Sequence, residues 1–153
     1  MNRRRLLACC VLGLLFLGPG CASWDTRVVS GLHTPPQVLD WKARIAEHPL
    51  RPGENIRVLE LGRTESASYH LVQIRDREVP HVHRRHELTV VVKRGQGELT
   101  LGGRTLFLKA GAVVLIPRGM VHHFTNTGSR PAVALTIFTP PFDGKDTVPV
   151  TPR

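Results

Sequence analysis

Cysteine is nearly absent from the 153 residues, and where it does occur decides what it can do. Cys9, Cys10 and Cys21 are the whole set, so no disulfide can staple anything downstream of position 21. Aromatic residues make up only 5% of the chain. The arginines are scattered among them. A nucleic-acid partner is therefore not expected, despite a formal charge of +9. There is no apolar run long enough for a comfortable membrane span; the longest, Leu6–Leu17, falls well short of about 20 residues. No internal repeat or low-complexity tract is present. No Ser or Cys stands beside the clustered histidines as a nucleophile, and no pair of carboxylates is placed for acid–base work.

What is there begins with the N-terminus. Arg3, Arg4 and Arg5 precede the Leu6–Leu17 run, the pattern of an export signal. Removing these three from 21 basic residues leaves 18 against 12 acidic, a balance of +6 read as a solvated basic surface. Leu17-Gly18-Pro19-Gly20-Cys21 resembles a bacterial lipobox, with Gly20 before the modified cysteine. Gly18 and Pro19 depart from the usual residues. The expectation is lipidation at Cys21 and a tether to the periplasmic face of a membrane. Ordinary secretion with cleavage nearby and an uncleaved anchor are the alternatives.

The domain plan follows: 1–21 signal, 22–54 tether, 55–141 one barrel, 142–153 a C-terminal tail. Between 22 and 54, Val38–Glu47 reads as a short amphipathic helix with Val38, Trp41 and Ile45 on one face, either packed on the barrel or lying in the tether. From Asn55 onward, short β-rich runs alternate with Gly and Pro breaks, the mark of an all-β barrel or sandwich. Gly102-Gly103 between Glu98–Leu101 and Arg104–Leu108 is a two-residue hairpin signal.

Five of the eight histidines lie between His81 and Asn126. His81 and His83 alternate to the same side of a strand, and Glu87 follows four residues later. Two imidazoles and a carboxylate suit a divalent first-row metal. Pro117 and Gly119 fit a turn that launches a strand carrying His122, Phe124 and Asn126.

These two pieces resemble the paired motifs of the cupin superfamily. Gly111, Pro117, Gly119, His122 and Asn126 match every fixed position of the second motif. His81, His83 and Glu87 match the ligand part of the first. Arg75 stands where the family has its leading glycine, and the closing glycine, Gly95, comes one residue late. The resemblance implies a small antiparallel jelly-roll β-barrel with one metal in its mouth, held by His81, His83, Glu87 and His122. It also implies pairing through strand edges, so a homodimer is the expected assembly.

Alternation from Glu87 and His122 places Thr89, Val91 and Phe124 in the pocket wall. His86 is expected in an exposed turn, His123 facing outward, and Asn126 bracing its turn. A largely apolar cavity with one metal fits a small organic molecule. Mn, Fe, Zn, Ni and Cu all remain open. Two functions follow. One is an exported metal-dependent enzyme of the oxygenase or isomerase type. The other is a noncatalytic small-ligand or metal-binding module at the cell envelope.

Overall fold

The computed structural model describes residues 26–151. The signal and lipidation expectations, including Cys21, lie outside them. No helix among the described residues is long and apolar enough to cross a membrane.

Two five-stranded antiparallel sheets face each other. One has the order β3 (Ile56–Arg63), β4 (Ser68–Ile74), β11 (Ala132–Thr139), β6 (Glu87–Arg94), β9 (Val113–Ile116). The other runs β12 (Val148–Pro149), β5 (His81–Val82), β10 (His122–Asn126), β7 (Gln96–Leu101), β8 (Arg104–Lys109). Neighbours in each sheet are mostly distant in sequence, the signature of a jelly roll. The hairpin between β7 and β8 turns at Gly102 and Gly103, both at positive φ. Glycine meets no Cβ penalty there.

Alternation along the strands builds the interior. Val72 and Ile74 of β4 face Leu88 of β6, Val114 and Ile116 of β9, Phe138 of β11, and Leu99 and Phe124 of the opposite sheet. Gly97 of β7 lies tight against the neighbouring strand β10. A Cβ there would collide with the Thr125 carbonyl and the Phe124 ring.

The opposite face of the first sheet is covered by the segment expected to be a tether. β1 (Arg27–Ser30) and β2 (Gln37–Asp40) form a hairpin that runs into α1 (Trp41–Glu47). Asp40 caps α1: its Oδ1 accepts from Lys42 N at 2.7 Å and Ala43 N at 3.1 Å. Trp41 and Ile45 bury against Leu71 and Val133, flanked by Leu59 and Leu61. Gln73 Nε2 donates to the His48 carbonyl at 2.8 Å, tying the helix end to the sheet. The helix is shorter than its apolar pattern predicts. Val38 belongs to β2 and is exposed, because hairpin pairing with Val29 takes that residue before the helix begins.

The C-terminal tail is equally committed. Phe142 stacks on Phe138 at 4.5 Å, and β12 pairs with β5, the strand that carries His81.

Candidate metal centre and cavity

His81, His83 and His122 meet at the inner surface of the second sheet. β5 and β10 pair in a register that sets His122 opposite His81. Their rings are 4.3 Å apart, and the His83 ring lies 5.0 Å from His81 and 5.2 Å from His122. One nitrogen from each lies within 4.8 Å of the others, and all three residues are buried.

Each ring is held by its other nitrogen. His81 Nδ1 meets the Val79 carbonyl at 2.8 Å, His83 Nδ1 the Asp146 carbonyl at 2.7 Å, and His122 Nδ1 the Met120 carbonyl at 2.9 Å. A carbonyl can only accept, so each Nδ1 carries a proton, and in the neutral ring each Nε2 keeps its lone pair. Three fixed, neutral donors are what a divalent metal requires. Burial also disfavours protonation of His122 and His83. It pushes His122 down to about 4, against the carbonyl bond from Met120, which favours the charged form. His83 is pushed down by burial as well, although its bond to the Asp146 carbonyl opposes the shift. The donor set therefore fits a metal.

Glu87 does not join them. It is exposed on β6, with Arg118 Nη2 3.6 Å from its Oε1. The side chain that faces the histidines from this stretch is Leu88, buried and in the cavity wall. The reason is strand parity. Leu88 pairs with Ile116 and Phe138 on the inner face, which sends Glu87 outward. The signal was in the sequence. With Gly95 one residue late, the inward position of the first motif falls on residue 88, and leucine stands there. The same parity corrects the wall: Val90 and Val92 line it, while Thr89 and Val91 belong to the other face. Phe124 lines the cavity, in phase with His122.

His86 is also corrected. It is buried rather than exposed, with its Nδ1 2.6 Å from Asp146 Oδ2. Asp146 accepts further bonds from the Arg84 and Arg85 backbone N–H groups, at 3.1 and 2.8 Å. Burial alone would raise the Asp146 carboxyl. The bonds from His86, Arg85 and Arg84 outweigh that and hold it at about 2. One tail residue thus pins the 84–86 turn with its side chain and His83 with its carbonyl. Sequence spacing had no means of showing a contact across sixty residues.

His70 is buried beside Ser68, with Nε2 2.8 Å from Ser68 Oγ, and edge-on to Phe138 and Phe142. His123 is not part of the three-histidine group. Asn126 braces its turn: its Nδ2 donates to the Arg75 and Arg130 carbonyls, and its Oδ1 accepts from Gly128 N.

The histidines open on a cavity of about 360 Å³ between the sheets. Its walls are almost wholly apolar: Val72, Ile74, Leu88, Leu99, Ile116 and Phe138 among them. Phe142, Thr147 and Pro149 of the tail close one side. Ile56, Val58 and Val79 line it as well while remaining exposed, so they mark its mouth.

One carboxylate reaches this wall, Glu78, and the sequence reading missed it. Its backbone N–H donates to the Phe124 carbonyl at 2.8 Å, and its Oε2 accepts from Phe124 N at 2.9 Å. Burial raises its pKa, opposed by nearby His81 and by the Phe124 N–H. The residue as a whole is half-buried.

Comparison with known proteins agrees with this geometry. Residues 69–138 match the cupin domain model. An uncharacterized protein of Aquifex aeolicus (strain VF5) is 43% identical over 121 residues, spanning 78% of this chain and 97% of that protein. A putative germin-like protein 9-2 of Oryza sativa subsp. japonica is 34% identical over 118 residues, 72% of this chain and 50% of its own. Among solved structures, KdgF from a Halomonas species superposes with a TM-score of 0.56 at 24% identity, over 64% of this chain and 91% of that one. The Thermus thermophilus protein TT1209 gives 0.57 at 20% identity, over 66% and 95%. The Streptomyces nucleoside dehydratase Pac13 gives 0.53 at 20%, over 63% and 78%. At such identities the structural matches speak for the fold. With the cupin domain model matching residues 69–138, within the two facing sheets, this chain carries a cupin domain.

Proposed function

We propose that this protein binds one divalent transition metal through His81, His83 and His122 and uses it on a small, mainly apolar organic molecule held in the barrel. The observation that carries the reading is the fixing of all three Nδ1 atoms on backbone carbonyls, which leaves three neutral nitrogens together at the edge of an apolar cavity. Its volume of about 360 Å³ suits a compact molecule. With Glu87 outside, the ligand set is imidazole alone. That favours Zn, Ni, Cu or Fe over Mn, which prefers oxygen donors.

A bound metal would supply Lewis-acid polarisation or an oxygen-activating centre, with coordination positions left open by three protein ligands. The chain itself does the rest. Backbone carbonyls orient the rings, Leu88 and Phe138 keep water from the donor side, and the tail residues Phe142, Thr147 and Pro149 narrow the cavity. Isomerase- or oxygenase-type chemistry is the enzyme class this supports. The basic N-terminal segment, the apolar run after it and Cys21 support export and a lipid tether at the cell envelope. Dimer formation through strand edges is proposed on the cupin resemblance alone.

The test is turnover of small phenols, diketones and thiols by the metal-loaded protein, compared with His83→Ala. Product formed by the wild type and lost in the variant supports an enzyme. The second reading, a ligand-binding module, is favoured by the near absence of polar wall groups. It is supported instead by ligand-dependent thermal stabilisation without product.

A further inference from the structure

Glu78 is the acidic group in the wall of an otherwise apolar cavity, and half of it is unused. Its Oε2 takes the Phe124 N–H, while its own N–H is spent on the Phe124 carbonyl. This pair of bonds to β10 fixes the carboxylate two residues from His122. Oε1 has no protein hydrogen-bond partner among the described residues. Glu78 is half-buried and lines the cavity, so this oxygen is free to bond a molecule that enters between the valine, isoleucine and phenylalanine walls. The cluster of histidine nitrogens does not include it, so its place is the cavity wall rather than the ligand set.

We propose that Glu78 is the ligand-recognising group of the cavity: its Oε1 receives an ammonium or hydroxyl of a compact, mainly apolar molecule whose other polar end meets the three histidines. The inference rests on the metal-centre reading for that second end and on the Glu78 geometry alone for the first. It narrows the substrate class. Hydrocarbon walls supply affinity without orientation, so the two polar contacts at opposite ends fix which way the molecule lies. A bound ammonium would itself favour the ionised carboxyl, and against that form a molecule with an acceptor in place of the donor would set its lone pair against an oxygen and be rejected.

Glu78→Gln provides the test. The Phe124 N–H requires an oxygen, so the glutamine amide is held with its NH2 toward the cavity, turning an acceptor into a donor without changing shape. Dissociation constants would be measured for the zinc-loaded wild type and variant with 3- and 4-(aminomethyl)benzoate and the matching formylbenzoates. The wild type is expected to prefer an aminomethyl probe by roughly tenfold or more, the size of a charge-assisted hydrogen bond. Glu78→Gln is expected to invert the preference, with zinc content and melting temperature unchanged. Equal preference in both proteins overturns the proposal, and so does loss of zinc in Glu78→Gln, which would put Glu78 on the metal. Chelator-treated protein with benzylammonium against benzaldehyde separates the two inferences. If no zinc binds but this preference persists and inverts in the variant, the metal reading fails and the role of Glu78 stands.

Discussion

Leu88 is the residue on which the chemistry of this site turns. A cupin-like H-x-H spacing followed by glutamate invites a three-histidine, one-carboxylate centre, and Glu87 is there to be counted. The pleat decides otherwise, because a shift of one residue moves a side chain to the other face. Restoring the carboxylate is therefore a test. Leu88→Glu is expected to raise manganese uptake relative to zinc, measured by competition between the two ions. Glu87→Ala is expected to leave zinc content unchanged; loss of metal in that variant would return Glu87 to the site.

His122 sets a pH dependence at the same scale. Its pKa in the folded protein, about 4, lies below the ordinary value of 6.5. The unfolded chain takes up a proton that the folded site refuses, so metal-free stability falls as pH drops from 6.5 toward 4. The full contribution is roughly 3 kcal/mol. Urea unfolding of the metal-free protein at a series of pH values measures it. His122→Gln should flatten the profile in that window; an unchanged slope would contradict the assignment.

At the scale of elements, the tail matters more than its sequence suggests. Pro140 to Arg153 has turn-like composition and no period, yet it delivers β12, Phe142 and Asp146 to the site. Asp146 acts on His83 through its backbone carbonyl and on the 84–86 turn through its side chain. Asp146→Ala leaves the Arg84 and Arg85 N–H groups and the buried His86 without their acceptor, at a cost of about 3 kcal/mol. Because the turn then releases His83, metal affinity is expected to fall by roughly 10- to 100-fold. Chemical denaturation and metal competition check the two effects separately. Unchanged affinity would mean that the Asp146 side chain steadies the turn without bearing on His83.

The strands themselves were legible before the structure. Ser68–Ile74, Val113–Ile116 and Ala132–Thr139 stand where β-rich runs between Gly and Pro breaks place them. The Gly102-Gly103 hairpin and the Asn126 brace were legible too. Each of those signals is local. What escaped the sequence is long-range. Glu78 reaches the cavity only because β10 returns to pair with it, and His86 is buried only because Asp146 comes back across the chain end. Parity at Glu87 failed for a different reason: alternation says that neighbours differ, not which of two neighbours faces in. Only the late Gly95 carried that information.

On the scale of the whole molecule, two layers of sheet enclose the cavity, and a third layer covers one outer face. The segment 27–47 reads as a tether by composition but packs Trp41 and Ile45 on Leu71 and Val133. Trp41→Ala is expected to cost about 3–5 kcal/mol, measured by urea unfolding, with metal stoichiometry intact at low temperature. A negligible cost would contradict the packing of this layer. That arrangement separates the layers: the outer one packs on the first sheet, and the inner face lines the cavity.

The central claim is that three histidines and no carboxylate hold one metal. Elemental analysis of the protein purified from its own compartment tests it most directly, alongside His81→Ala/His83→Ala and Glu87→Ala. The account expects about one zinc, nickel, copper or iron per chain in the wild type and in Glu87→Ala, and none in the double histidine variant. A wild type free of metal, with no uptake on reconstitution, would contradict it and leave a barrel that binds its ligand through Glu78 and apolar walls alone.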